Sequence, residues 1–249
     1  MQAVRAPAVA GSFYPADADQ LRATVERLLK DAPGGTRPKA VIAPHAGYVY
    51  SGAVAASAFR RVVDAPVFRV VLLGPSHFVA LRGVALPAAH AMRTPLGDIP
   101  VEDAPLPRQP RAHVEEHSLE VELPFLQVAL RSFAVLPLAV GDATPEEVAA
   151  VIEQLWGGDE TLIVVSSDLS HYLPYADAQR ADAASAKEIL ALGRLVPDDA
   201  CGAAPVNGLL LAAKHRGLRA ELIDLRNSGD TAGDKKRVVG YGAFAFHER

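Results

Sequence analysis

The chain has 249 residues, enough to bury a substantial core. Half of them are hydrophobic and 22% are charged, which excludes a disordered, collagen-like or coiled-coil polypeptide. A formal net charge of -4 gives nucleic-acid binding no electrostatic support, and the one basic run, Lys235-Lys236-Arg237, follows Gly233-Asp234 and reads as a solvated turn.

The opening stretch from Met1 to Pro7 lacks the apolar segment of a secretory signal. Residues 17–29 place Leu21, Val25, Leu28 and Leu29 at helical spacing, with Asp17 and Gln20 set for a capping box. A short β-branched run at 39–43 (KAVIA) reads as a buried strand, and so does 68–73 (FRVVLL). Residues 80–115 read as loop-rich insertion, with the proline-rich 104–110 (APLPRQP) as an extended surface loop. Strands follow at 135–140 and 162–165. Between them Thr144-Pro145-Glu146-Glu147 marks a helix start, and Gly157-Gly158 marks its end after Trp156. Helices are predicted over 175–192 and 205–214, and strands over 218–225 and 238–246. Buried strands alternating with helices imply a single α/β domain over 1–249, with a largely parallel sheet covered on both faces. Apolar runs such as 70–73 and 209–213 are too short to span a bilayer, and one cysteine, Cys201, builds no disulfide framework. A cytoplasmic protein without a membrane segment is expected.

Ligands of open α/β sheets bind beyond the carboxyl ends of the strands. After KAVIA comes Pro44-His45-Ala46-Gly47-Tyr48; after VVLL comes Gly74-Pro75-Ser76-His77; after LIVV comes Ser166-Ser167-Asp168-Leu169-Ser170-His171. Any one of these histidines alone reads as a loop or cap residue. Three at equivalent strand ends imply a shared site of imidazoles with one carboxylate. Such a group either binds iron, zinc, copper or nickel, or performs acid–base chemistry. Glu116 and His117 stand in a charged run, 115–124, with two readings: a loop that reaches the pocket rim, or an acidic first helical turn. The residue pattern favours the helical turn. Cys201 reads as a buried, inert thiol, and Gly74-Pro75-Ser76-His77-Phe78 is only a partial nucleophile elbow. Asn227-Ser228-Gly229-Asp230 is a turn that lends Asn227 or Asp230 to the pocket at most.

Together AGSFYP (10–15), APHAGYVYSG (43–52), LGPSH (73–77), RTPLGD (93–98), EHSLEVELPFLQ (116–127), VVSSDLSHY (164–172), CGAAPV (201–206) and NSGD with VVGYGAF (227–244) resemble the Memo family. Its microbial members are also called AmmeMemoRadiSam system protein B. The resemblance implies a three-layer α/β/α sandwich with a largely parallel or mixed central sheet, related to LigB-type extradiol non-haem iron dioxygenases. It implies a metal-capable pocket with His45 and His77 as ligands and His171 with Asp168 as the catalytic pair. Tyr48, Glu116, His117, Cys201, Asn227 and Asp230 are further pocket candidates. The family's third ligand, a cysteine, aligns with Leu225, which cannot bind a metal; Cys201 is read as part of a different motif. The third ligand is then either missing or supplied by Asp168, His171, Asp230 or water, with iron or copper as the metal and zinc as the alternative. The implied role is a metal-dependent, dioxygenase-like redox protein acting on a small-molecule or peptide ligand, with AMMECR1-like and radical SAM proteins as possible partners. A non-catalytic binding module and a zinc-type hydrolase are the alternatives.

Overall fold

The computed structural model describes residues 3–248, so Met1, Gln2 and Arg249, which belong to the domain and signal readings above, lie outside it. In chain order the elements are β1 (Val4–Arg5), α1 (Ala18–Asp31), β2 (Ala40–Ala43), α2 (Tyr48–Phe59), β3 (Arg69–Pro75), β4 (Val84–Ala85), β5 (Ala91–Thr94) and β6 (Gly97–Pro100). There follow α3 (Arg111–Val114), α4 (Leu123–Ala129), β7 (Ala134–Val140), α5 (Pro145–Gln154), β8 (Thr161–Ser166) and β9 (His171–Leu173). The chain closes with α6 (Tyr175–Leu190), α7 (Ala203–His215), β10 (Arg219–Asn227), α8 (Ser228–Thr231) and β11 (Val238–His247).

The main sheet runs β10-β11-β2-β8-β3-β7-β4, with β9 paired to β11 off that path. Its centre, β2-β8-β3-β7, is parallel, and the flanking strands pair antiparallel. The central strands are apolar throughout because both faces are covered. Val41, Val70, Leu72, Leu162 and Val164 pack on one side with residues of α1, α2 and α4. The alternate residues Ile42, Val71, Leu73, Ile163 and Val165 pack on the other with α5, α6 and α7. This period-2 division makes the α/β/α sandwich expected from the pattern.

Two helix starts follow their local chemistry. The Asp17 side chain accepts from the Gln20 N–H, and Thr144 and Glu147 complete a reciprocal capping box ahead of Pro145. Helix α2 has no polar stripe, since nearly every residue from Ser51 to Phe59 is buried, so it carries no amphipathic signal. Residues 80–115 are less loop-like than expected: β5 and β6 form a hairpin that joins β1 in a second, three-stranded sheet. Residues 104–110 are irregular, as expected. Among the described residues no helix is long and apolar enough to cross a membrane.

His113 in α3 gives this fold a pH dependence. Its buried ring donates from Nε2 to the Ala85 carbonyl at 3.0 Å, while Nδ1 has no partner among the described residues. Burial brings its pKa down to about 4. The unfolded chain takes up this proton first, so the contribution is complete above pH ~6.5 and is lost as pH falls toward the folded value, on the order of 3 kcal/mol in all. Urea titrations between those limits should show His113→Gln, whose amide can keep the bond to Ala85, losing less stability than the parent. Equal losses would refute the assignment.

Candidate metal centre

Strand order brings the site together. β8 lies between β2 and β3, so the loops that follow β2 and β3 leave the sheet edge two strand spacings apart, roughly 10 Å. Imidazoles reaching inward from both sides close that gap. The His45 and His77 ring centroids are 5.3 Å apart. The third ring between them is His117, 5.4 Å from His45 and stacked on His77 at 4.7 Å. One nitrogen from each of the three histidines lies within 4.8 Å of the others, the spacing of donors that share an ion.

Each imidazole is held from behind. Glu116 accepts from the His77 backbone N–H at 2.6 Å, from His77 Nδ1 at 2.9 Å and from the Ser118 N–H at 2.9 Å. Burial pushes the Glu116 carboxyl up, but the His77 ring and these N–H donors bring it down to about 2. An ionised carboxylate only accepts, so the His77 Nδ1 donates to it and Nε2 faces away from Glu116. His45 is fully buried, with Nδ1 2.7 Å from Ser166 Oγ and its backbone N–H donating to Asp168 Oδ1 at 2.8 Å. Burial and the neighbouring imidazoles hold His45 well below the usual histidine range. Burial also lowers His117, against the opposing pull of Glu116. Phe13 packs on the His117 ring at 4.9 Å. His45 and His117 are therefore neutral at physiological pH, the state that binds metals.

The Cys201 Sγ lies 3.3 Å from His45 Nε2. Helix α7 begins two residues later and is tied to the sheet edge where the Gly202 N–H donates to Ser167 Oγ at 3.0 Å. Burial pushes the thiol up to about 12, so it is protonated here. Asp168 and His171 line the same cavity of about 770 Å³, which Phe13, Val49, Tyr50, Tyr172, Tyr241 and Arg237 also bound. Asp168 is raised to about 7 by burial against the opposing N–H donors of His45 and Ala46. His171 is exposed overall, and partial burial lowers its pKa against a hydrogen bond to the Leu169 backbone. It does not join the three-histidine cluster.

Several expectations need correction. His117 is no helical-turn residue: the turn Glu120–Glu122 starts after it, and its ring completes the cluster. The donor that the structure groups with His45 and His77 is His117, whereas Asp168 and His171 line the same cavity outside that cluster and Asp230 does not line it. Cys201 is at the site, whereas Leu225 lies in β10 beside a separate small cavity lined by Asn227, Asp230, Gln179 and Asp182. Asn227 and Asp230 cap α8 reciprocally instead of facing the histidines. Tyr48 points into the core, its hydroxyl donating to the Val121 carbonyl at 2.8 Å, and Tyr50 faces the cavity. Arg237, read as part of a solvated turn, sits at the cavity rim, its guanidinium 5.0 Å above the Tyr172 ring.

Residues 5–245 match the model of a family described as Memo-like protein. The chain belongs to the Memo family. Relatives called MEMO1 family protein are spread across distant lineages. One from Aquifex aeolicus is 35% identical, with 98% of this chain and 99% of the relative covered. Those of Sulfolobus acidocaldarius and Archaeoglobus fulgidus are 33% and 34% identical over the same shares. In this Memo-family chain the three-histidine centre fits a transition metal by its donor chemistry: two rings kept neutral, one anchored by a carboxylate, and a thiol beside them.

Proposed function

We propose that this Memo-family chain is a metal-dependent redox protein that handles oxygen, with His45, His77 and His117 as ligands and Asp168 and His171 as its proton-handling groups. The convergence of the three imidazoles carries the reading. Iron or copper, when bound, supplies Lewis acidity and one-electron chemistry at this point. The chain supplies the rest. Glu116 fixes the His77 ring, and Phe13, Val49 and Tyr50 give the cavity an apolar side for a ligand. With its pKa near neutrality, Asp168 is suited to giving or taking a proton at the cavity wall, and neutral His171 is suited to accepting one nearer the rim. The family resemblance supports kinship with LigB-type dioxygenases and a role beside AMMECR1-like and radical SAM proteins.

Arg237 favours a second reading, an anion-binding module for a small molecule or peptide, because it makes no ion pair among the described residues.

Anaerobic purification with Fe(II) or Cu supplied, followed by metal analysis and an oxygen electrode, separates the two. The redox reading expects roughly one metal per chain. It also expects oxygen uptake that falls about 10²–10⁴-fold in Asp168→Asn or His171→Ala with the metal retained. Absence of metal from the parent protein, or a loaded protein that consumes no oxygen, defeats it. Thermal stabilisation by anionic ligands without metal then supports the binding module.

A further inference from the structure

Behind His45 lies a polar cluster that the cavity does not touch. Ser166 Oγ stands 2.7 Å from His45 Nδ1, 2.7 Å from the Ser118 carbonyl oxygen and 2.8 Å from Glu122 Oε1. All four residues are buried; Glu122 has no exposed surface, and its Oε2 has no partner among the described residues. Each of these three contacts is too short to persist without a proton in it. Ser166 has one proton to give. The Ser118 carbonyl can only accept, so it takes that proton. The other two contacts must then be supplied from outside the serine: an N–H from His45 Nδ1 and an O–H from Glu122.

We infer that Ser166 and Glu122 are positioning residues for the metal centre: with its own proton committed to Ser118, Ser166 accepts from both, fixing His45 as the Nδ1–H tautomer and Glu122 as a neutral acid. The His45 Nε2 lone pair is thereby turned toward His77 and His117. Two further observations agree. The Cys201 thiol sits 3.3 Å from Nε2, placed to donate into that lone pair. An orphaned Oε2 costs far less as the carbonyl of a neutral acid than as half of a buried carboxylate. Burial also drives Glu122 well above the usual carboxyl range. His45 and His77 both donate from Nδ1 to an acceptor behind the ring, a neutral hydroxyl for one and an ionised carboxylate for the other.

The inference rests on the metal reading for its purpose, but its test stands apart from it. Long-range ¹H–¹⁵N spectra of the metal-free, ¹⁵N-histidine-labelled protein report each tautomer, with His45→Asn assigning the resonance. The parent and Glu122→Gln, whose amide can donate to Ser166, should both show Nδ1–H at His45. Ser166→Ala should move it to Nε2–H or to a mixture. An infrared difference spectrum, parent minus Glu122→Gln, should contain the carbonyl band of a protonated acid. Cobalt(II) affinity should fall about 10–100-fold in Ser166→Ala, the usual effect of losing an outer-shell partner. An Nε2–H ring at position 45 in the parent, or a missing acid band, overturns the inference even if metal binds. The Nδ1–H ring and acid band in a protein that takes up no cobalt sustain it and defeat the metal reading alone.

Discussion

His117→Ala should lose the metal, and His171→Ala should keep it. His117 stacks on His77 and sits 5.4 Å from His45, whereas His171 lies on exposed β9, outside the three-ring cluster. Removing one of three donors leaves a pair of imidazoles and a protonated thiol, a poor cage for a divalent ion. In competition titrations of Co(II) against a chromophoric chelator, His117→Ala should weaken affinity beyond the 10–100-fold typical of a supporting partner, while His171→Ala should stay within about tenfold. The reverse order would make His171, one of the third-donor options the sequence offers, the ligand, and would detach His117 from the centre.

Glu120→Gln should strongly destabilise the fold. Glu120 has no exposed surface and is paired with the buried Arg5 guanidinium. It also accepts from the backbone N–H groups of Ala8 at 2.7 Å and Val9 at 3.0 Å and from the Tyr14 hydroxyl. Arg5 continues to the His113 carbonyl at 2.9 Å. Stripping the charge from one partner strands the other, a cost of about 3–5 kcal/mol. For a chain of this size that lowers Tm by on the order of 10 °C. Calorimetry of Glu120→Gln and of the charge-free pair Arg5→Met/Glu120→Gln checks the cause: the Gln amide oxygen keeps an acceptor for the Ala8 and Val9 N–H groups, and removing the stranded guanidinium should recover part of the loss. A single variant that melts with the parent would show that this network contributes little.

Most of the architecture was legible in the chain because strand periodicity, caps and glycine stops are local signals. The central strands were found within a residue or two, and with them the sheet edge that holds His45, His77 and Asp168. What escaped was set by distant contacts. Helix α2 is apolar on every side, so its helical period is invisible in the pattern. Strands of two to four residues, as in β1, β5 and β6, are too short to alternate convincingly. Glu116 and His117 sit in a run of acids that suits a helix start equally well, and only the bond from Glu116 to His77, 39 positions away, shows their purpose. Cys201 offered no partner in sequence, since its neighbour His45 lies 156 positions off. The one available clue was the family resemblance, which takes in AGSFYP, EHSLEVELPFLQ and CGAAPV although none of these closes a predicted strand. Tyr48 and Tyr50 were separable only by rotation about a helix whose existence had not been recognised.

The main-chain N–H groups of His45 and His77 are each gripped by a carboxylate from elsewhere in the fold, Asp168 and Glu116. The loops bearing these donors are thus frozen by the protein itself, before any ion arrives. Ordering entropy falls on folding and not on capture, unlike a finger domain that stays uncoiled until zinc gathers it. Such a rigid receptacle discriminates among ions by how well each suits a preset spacing, and does not remould itself around whichever comes first.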